Sequence, residues 1–310
     1  MSGYAFWTAI WQGLLISILC LGVYISFRIV RFPDLTCDGT FPLGASVAGV
    51  LIVSGLNPFL ATGIAILCGI IAGVTTGLLN VKLRIPAIVS SILVMTGLYS
   101  VNLIIMKKPI ISLSKDETVF GQVEDFLASK STFLDQFHLK NLIYPLIFLI
   151  VILLIKKLLD WFLSTEVGLA LRVTGDNPKM ARIMAVNTGK MILVGLGIAN
   201  GLVAFSGALF AQIQKFADVN LGIGMIIVGL ASVFIGEALE NSIGRSSKLI
   251  NATTAVILGS VIYKLAIALA YEVGLSPDYF NLITAVIVTV ALSIPSIRAD
   301  MLSIIRSNGK

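Results

Sequence analysis

Long apolar runs separated by short polar stretches fill this chain of 310 residues. An α-helix needs about 20 apolar residues to cross a bilayer, and several of the runs reach that length. The pattern predicts an all-α membrane protein with about nine transmembrane segments and a range of about 8–10. The predicted segments are 6–30, 41–56, 58–79, 85–106, 142–155, 191–213, 221–235, 249–271 and 280–294. Those at 41–56, 142–155 and 221–235 are short, which indicates broken or tilted helices.

The amino-acid composition argues against a water-soluble globular protein. Hydrophobic residues make up 57% of the chain and charged residues 12%, whereas soluble domains carry about 25% charged residues. We therefore treat residues 1–310 as a single transmembrane domain.

Basic residues are concentrated in alternate polar loops. Residues 156–190 hold six basic residues against three acidic ones, whereas residues 107–140 hold five of each. Because basic loops stay in the cytoplasm, this bias places 160–190 inside and 107–140 outside, with the N-terminus outside and the C-terminus in the cytoplasm. The net charge of +6 then reflects membrane topology, and we expect no nucleic-acid partner.

A short capped helix is predicted in the inner loop. Asp176 or Asn177 is suited to accept hydrogen bonds from the first free amides of a helix, and Pro178 suits the first helical position. The Asn187-Thr188-Gly189 stretch is expected to end the helix about two turns later. Lys179 and Arg182 make it cationic, and Met180, Ile183 and Met184 give it an apolar face suited to a groove on another protein.

An ordered series of small, basic and amide residues runs through positions 164–210. It comprises Gly168, Arg172, Gly175-Asp176-Asn177, Ala181-Arg182, Val186-Asn187 and Ser206-Gly207-Ala208-Leu209. In order and spacing it resembles the cytoplasmic coupling loop of the bacterial ABC importer permeases for branched-chain amino acids and ribose-type sugars. The chain departs from the amino-acid branch at 33–39, Pro-Asp-Leu-Thr-Cys-Asp-Gly, where that branch typically carries Asn-Phe-Ala-His-Gly. Substrate identity therefore does not carry over.

The resemblance implies a type II-like importer permease working as a pair, most simply a homodimer, in the bacterial plasma membrane. Cytoplasmic ATPase subunits would bind ATP and magnesium, so no cofactor is expected in this chain, and an external solute-binding protein would deliver the substrate. The resemblance also implies residues that meet the ATPase. These are Gly168, Arg172, Gly175, Asp176, Asn177, Pro178, Lys179, Ala181 and Arg182, with Glu237 in a second inner loop.

Two stretches look alike, 33–39 and 217–224, since each pairs an aspartate with a small polar residue and a glycine before a short apolar run. By the predicted topology they enter from opposite sides, which indicates an inverted repeat whose broken helices meet near the midplane. We predict a substrate pathway there. Its candidate residues are Asp34, Thr36, Asp38, Thr40, Thr96, Tyr99, Asn102, Asn200, Asp218 and Asn220.

Each pathway candidate also has a structural interpretation. Asp34 would pair with Arg31, Asp38 would cap the next helix, and the other polar side chains would form hydrogen bonds between helices. Glycines spaced by four, at Gly69, Gly73 and Gly77 and again at 197 and 201, predict close helix packing.

The sequence lacks the residue combinations that catalysis or ATP binding would need. It has one histidine and no phosphate-binding Gly-x-x-x-x-Gly-Lys-[Ser/Thr] loop, so we expect neither an enzyme nor a metal site. The function expected is import of a small polar solute, an amino acid and possibly an aromatic one. The alternatives are an ion-driven secondary transporter, which would need carboxylates inside the membrane, and an ABC permease for a sugar or nucleoside.

Overall fold

The structure is a computed structural model and describes residues 3–113, 118–119, 121, 144–243, 250–274, 282, 284–286 and 289. Its first helices are α1 (Gly3–Tyr24), continued by a π-helical turn (Ile25–Ile29), α2 (Cys37–Val53), α3 (Pro58–Val81) and α4 (Ala87–Met106). They are followed by α5 (Tyr144–Ser164), α6 (Glu166–Asp176), α7 (Pro178–Ile183), α8 (Thr188–Gln214), α9 (Met225–Ile243) and α10 (Ile250–Glu272). Two short strands, β1 (Ile110–Ser112) and β2 (Phe216–Asp218), pair antiparallel.

Helix α8 is the centre of the bundle and packs closely on its neighbours. Gly44 of α2 and Gly69 and Gly73 of α3 lie so near the α8 backbone that an added Cβ would overlap an α8 carbonyl. Gly77 faces the same helix one turn further on. The predicted close packing of the α3 glycines is confirmed, because only a residue without a Cβ lets backbones approach this far.

Helices α2 and α9 start side by side and run in opposite directions. The first turn of α2 lies at mid-depth, where Gly39 packs on the middle of α4. From there α2 runs to the end of the bundle that carries the β-ladder, the β end, where Gly49 approaches Ala217. Helix α9 runs instead to the end that carries α7, the α7 end, where Glu237 pairs with Arg28. This is the arrangement expected of an inverted repeat of broken helices.

The first eight predicted segments all coincide with described helices. The ninth, 280–294, lies largely outside the described residues. Among the described residues, five helices are long and apolar enough to cross a membrane, and α2 is a shorter apolar helix. The fold class is therefore confirmed, whereas the count of nine spans stays a prediction.

Some predicted boundaries were wrong. The segment at 221–235 becomes helical only at Met225, because the residues before it form turns. The helix that contains the segment at 142–155 continues to Ser164. In this added part, Lys156 forms an ion pair with Asp160, one turn further along, at 2.8 Å. The β-ladder was not predicted, and most of the loop at 107–140 lies outside the described residues.

Candidate functional site

Asp34 is the centre of a buried polar network at mid-depth and has no exposed surface. Its Oδ1 accepts a hydrogen bond from the Thr36 amide at 3.0 Å, and its Oδ2 accepts one from Asn200 Nδ2 at 2.7 Å. The Thr40 hydroxyl donates to Asn200 Oδ1 at 2.8 Å. The hydroxyls of Thr36 and Thr76 are also 2.8 Å apart. This network fastens the irregular segment 30–36 to α8 and α3.

Four of the predicted pathway residues therefore meet, namely Asp34, Thr36, Thr40 and Asn200, and all four are fully buried in this conformation. Contact with a substrate stays a prediction for them. The alternative that Asp34 pairs with Arg31 is not realised, since Arg31 forms an ion pair with Asp176 at 2.5 Å.

Asp218 makes the same local turn as Asp34 at the matching position of the other repeat. Its Oδ1 accepts a hydrogen bond from the Asn220 amide at 2.8 Å. Both are aspartate turns in which a carboxylate binds the amide two residues ahead. The Asp218 turn is more exposed, however, and within the described residues its carboxylate forms hydrogen bonds only with Asn220.

Asp38 caps the first turn of α9, the helix of the other repeat. Its Oδ1 accepts from the Ile226 amide at 2.7 Å and its Oδ2 from the Gly224 amide at 3.2 Å. The first amides of a helix have no partner within the helix, so this carboxylate satisfies two of them. The expectation that Asp38 caps the helix following it in sequence was wrong.

Gly222 stands at the position that matches Asp38 in the alignment of the two repeats. An added Cβ at Gly222 would overlap the Asp38 carbonyl oxygen. Residues related by a two-fold axis touch each other only where they lie near that axis. The contact thus marks the point where the two halves meet.

Beside this contact lies a cavity of about 310 Å³. Its walls come from the first turns of α2, the middle of α4 and the turns that precede α9. The lining residues are Asp38, Gly39, Pro42, Met95, Thr96, Tyr99, Asn102, Val219 and Ile223. Four of them, Asp38, Thr96, Tyr99 and Asn102, were predicted from their polarity. The apolar ones were missed because nothing distinguishes them in sequence from residues that face lipid.

Asn102 is the most enclosed polar side chain of the cavity, with no exposed surface. Its Nδ2 donates to the Gly39 carbonyl at 3.3 Å. Its Oδ1 is buried and has no hydrogen-bond partner. Among the described residues, the only other buried side-chain atom in this situation is Arg172 Nε.

The short helix α7 begins as predicted, although only one of the two proposed caps is used. Asn177 Oδ1 accepts from the Met180 amide at 3.1 Å, and Pro178 occupies the first helical position. Asp176 instead forms the ion pair with Arg31. An aspartate one position before the cap is free to bind elsewhere because Asn177 already satisfies the open amide.

The predicted end of α7 was wrong. The helix stops at Ile183, and Ala185 takes a left-handed conformation with φ of 60°. Asn187 starts the next helix, since its Oδ1 accepts from the Lys190 amide at 3.0 Å. Asparagine caps helix starts well, and here the cap belongs to α8.

Helix α7 offers the expected mixed surface at its end of the bundle. Lys179 and Arg182 are exposed, and the Arg182 Nε donates to the Thr188 hydroxyl at 3.3 Å. The apolar face is open as well, because Ile183 is 81% exposed and Met184 60% exposed. Ala181 is the residue that α7 buries.

Other predicted coupling residues hold this loop in place. An added Cβ on Gly168 would overlap the backbone at the end of α5. Arg172 donates from its guanidinium to the Leu163 carbonyl at 3.2 Å. Gly175 packs against the carbonyl of Ile29 in the π-helical turn. Contact of these residues with an ATPase stays a prediction.

Glu237 lies near the end of α9 and forms an ion pair with Arg28. The Arg28 guanidinium also lies 5.3 Å from the centre of the Phe234 ring. Together these contacts join the π-helical turn to α9. No group of three or more His, Cys, Asp or Glu side chains in the described part of the chain is placed to hold a metal ion.

Comparison with known proteins decides the family. The model of the family described as branched-chain amino acid transport system, permease component, matches residues 6–292. The chain belongs to this family. The permease is 38% identical to the tyrosine transport system permease protein of Clostridioides difficile, over 91% of its own length and 88% of that protein. It is 34% identical to an uncharacterized protein of Rickettsia prowazekii, over 92% and 96% of the two chains.

A more distant relative carries a sugar in its name. The galactose/methyl galactoside import permease protein MglC of Escherichia coli is 26% identical over 91% of this chain and 83% of that protein. The resemblance to ABC permeases of the branched-chain and ribose type is therefore confirmed, and the chain is a multi-pass membrane protein. The permease is not itself an enzyme, because the family comprises transport subunits.

Proposed function

We propose that this permease is the membrane subunit of an ATP-driven importer for an amino acid, with aromatic amino acids as the leading class. The observation that carries the proposal is the mid-depth meeting of α2 and α9 beside a cavity of about 310 Å³. Helices that begin inside the membrane bring free amides and polar side chains to a solute at the midplane. Relative tilting of the two halves would open the cavity to each side in turn.

The proposed orientation puts the α7 end in the cytoplasm of a bacterial cell. That end carries Arg28, Arg31, Lys179 and Arg182, and basic residues are retained on the inner side. The β end then faces outward, where a solute-binding protein would dock.

The ATPase contact of the proposal is α7. Its exposed Lys179, Ile183 and Met184 suit a groove with an apolar floor and an acidic rim. ATP and magnesium would be bound by that partner, and closure of two ATPases would move two copies of α7 together.

The proposed second permease copy covers α4. Thr96 and Tyr99 are exposed polar residues on this apolar helix, and polar groups in a bilayer usually face protein or a water-filled cavity. A homodimer would place this face, and the cavity that it borders, between the two copies.

The character of the cavity supports an amino acid with an apolar side chain. Its walls combine Pro42, Met95, Val219 and Ile223 with a few polar groups, and such a mixture holds an apolar body while orienting a polar one. The name of the Clostridioides difficile relative favours tyrosine or a similar solute. The name of the Escherichia coli relative keeps a sugar as the second candidate.

A charge reversal at α7 tests the proposal. We expect the double variant Lys179→Glu, Arg182→Glu to lose ATPase subunits on co-purification at least about tenfold, because two attractive charges become repulsive ones. The matched control, Lys107→Glu with Lys108→Glu, reverses two exposed charges near the β end and should retain them. Retention by the α7 variant would refute the contact.

Reconstitution separates the functional alternatives. Proteoliposomes that hold the permease, its ATPase and its binding protein should import labelled L-tyrosine only with ATP. Uptake by this chain alone, driven by an ion gradient, would instead establish a secondary transporter. ATP-dependent uptake of D-galactose without uptake of L-tyrosine would select the sugar alternative.

A further inference from the structure

One polar atom of a residue that lines the cavity has no hydrogen-bond partner in the described part of the chain. Asn102 is fully buried on α4, and its amide orientation is fixed because Nδ2 donates to the Gly39 carbonyl. Its Oδ1 is the end of the amide that accepts hydrogen bonds, and no described group donates to it. A buried acceptor without a donor is costly, so proteins seldom retain one unless another molecule satisfies it.

Two neighbouring polar groups of the cavity, Asp38 and Thr96, are already engaged, and the Tyr99 side chain is 47% exposed rather than buried. Both oxygens of Asp38 accept hydrogen bonds from the start of α9. The Thr96 hydroxyl donates to the Ile92 carbonyl of its own helix at 2.5 Å. Asn102 Oδ1 is therefore the buried acceptor that no described group engages. Because it has no exposed surface in this conformation, the solute reaches it when tilting of the two halves widens the cavity.

We propose that Asn102 Oδ1 accepts a hydrogen bond from an N–H or O–H group of the transported solute and makes Asn102 a specificity-determining residue of the permease. The solute places its donor at Asn102 and its apolar part against Met95, Val219 and Ile223. This inference rests on the proposed import function and adds to it the residue that recognises the polar part of the solute by a hydrogen bond. A site built around such an acceptor disfavours analogues that lack the donor, because the acceptor is then left unpaired.

The test compares Asn102→Leu with Thr75→Val in the reconstituted importer. Leucine has nearly the shape of asparagine but no acceptor, and Thr75→Val removes an exposed hydroxyl of α3, away from the cavity, that binds its own helix. Labelled L-tyrosine, L-leucine and D-galactose are the probes, at saturating binding protein. For the probe that the unmodified importer carries, we expect Asn102→Leu to lower uptake per ATP hydrolysed at least tenfold, and Thr75→Val to stay within twofold.

Two readouts separate this role from a structural one. Basal ATP hydrolysis of the Asn102→Leu complex should match that of the unmodified complex, and its thermal unfolding midpoint should fall only by the small amount expected from loss of the hydrogen bond to the Gly39 carbonyl. If that variant does not assemble, Asn102→Ala removes the acceptor with less risk of overpacking and should show the same loss of uptake. Uptake within twofold in an assembled Asn102 variant, or an equal loss in Thr75→Val, would overturn the inference.

Failure of the proposed function has a different signature. If the unmodified complex shows no ATP-dependent uptake of any of the three probes, the import proposal fails and this inference fails with it. If the unmodified complex imports and the Asn102 variants import equally well, only this inference fails.

Discussion

The two matching turns of the permease have the same local geometry and opposite surroundings. Asp34 and Asp218 each bind the amide two residues ahead, at 3.0 and 2.8 Å. Asp34 is fully buried and is tied to α8 through Asn200, whereas the Asp218 carboxylate is partly exposed and binds only Asn220 among the described residues. The same sequence motif thus anchors its segment through a buried carboxylate in one half, whereas in the other half its carboxylate adds only a local, exposed hydrogen bond.

This difference indicates that the side of the cavity formed by residues 219–224 moves more easily than the side formed by α2. Segments with few buried contacts and exposed hydrogen bonds open at low free energy. The turns at 219–224 border the cavity, and Ile223 is 68% exposed. We therefore expect the exposed Asn220 and Ile223 to move during transport, while Gly222 stays against Asp38 and the segment at 30–36 stays against α8.

The largest effect is expected where the anchor is broken. Asp34→Leu would leave the Thr36 amide and Asn200 Nδ2 without their buried acceptor, so we expect the free energy of unfolding to fall by about 3 kcal/mol. Thermal unfolding of the purified permease in detergent measures this loss. Asp34→Asn keeps one acceptor oxygen and should lose about 1 kcal/mol. An Asp34→Leu variant as stable as the unmodified chain would show that the network does not anchor the segment.

An intermediate effect is expected at the meeting point of the halves. In Gly222→Ala the new Cβ would overlap the Asp38 carbonyl, so the backbones must separate at a cost of about 1–3 kcal/mol. Both the unfolding midpoint and the uptake rate should fall. Gly63→Ala is the control, since an added Cβ there meets nothing within 4 Å and alanine favours the helix by about 1 kcal/mol. Equal behaviour of the two variants would contradict a tight contact between the repeats.

The smallest effect is expected at the exposed turn. Asp218→Ala removes hydrogen bonds to Asn220 alone, so the free energy of unfolding should change by less than about 1 kcal/mol. The same thermal unfolding assay applies. A loss as large as that of Asp34→Leu would mean that the two turns are equally fixed, and the contrast between the halves would disappear.

Local signals in the sequence predicted much of the structure. Asn177 and Pro178 predicted the start of α7 because a cap and a fixed φ act within one turn. Gly69 and Gly73 predicted the close approach of α3 to another helix, although not which one. The polar residues Thr96, Tyr99 and Asn102 were singled out because they interrupt apolar runs, and all three line the cavity. That this cavity belongs to the substrate pathway stays a prediction.

Contacts between distant segments could not be predicted. Nothing near Asp38 in the sequence indicates that it caps α9, since its partners lie 186 and 188 residues away. Nor does the sequence distinguish Asn187 as a helix end from Asn187 as a helix start, because asparagine suits both. The apolar walls of the cavity, such as Met95 and Ile223, look like residues that face lipid.

The fit of Gly175 against the Ile29 carbonyl has a mechanical consequence. Only the segment at 30–36 separates Ile29 from the start of α2, and Asp38 joins that start to α9. In the proposed importer, a movement of α7 would thus be transmitted to both halves through one short, rigid connection. A bulkier residue at position 175 would push the two segments apart and loosen this connection, so ATP hydrolysis would continue with little transport of solute.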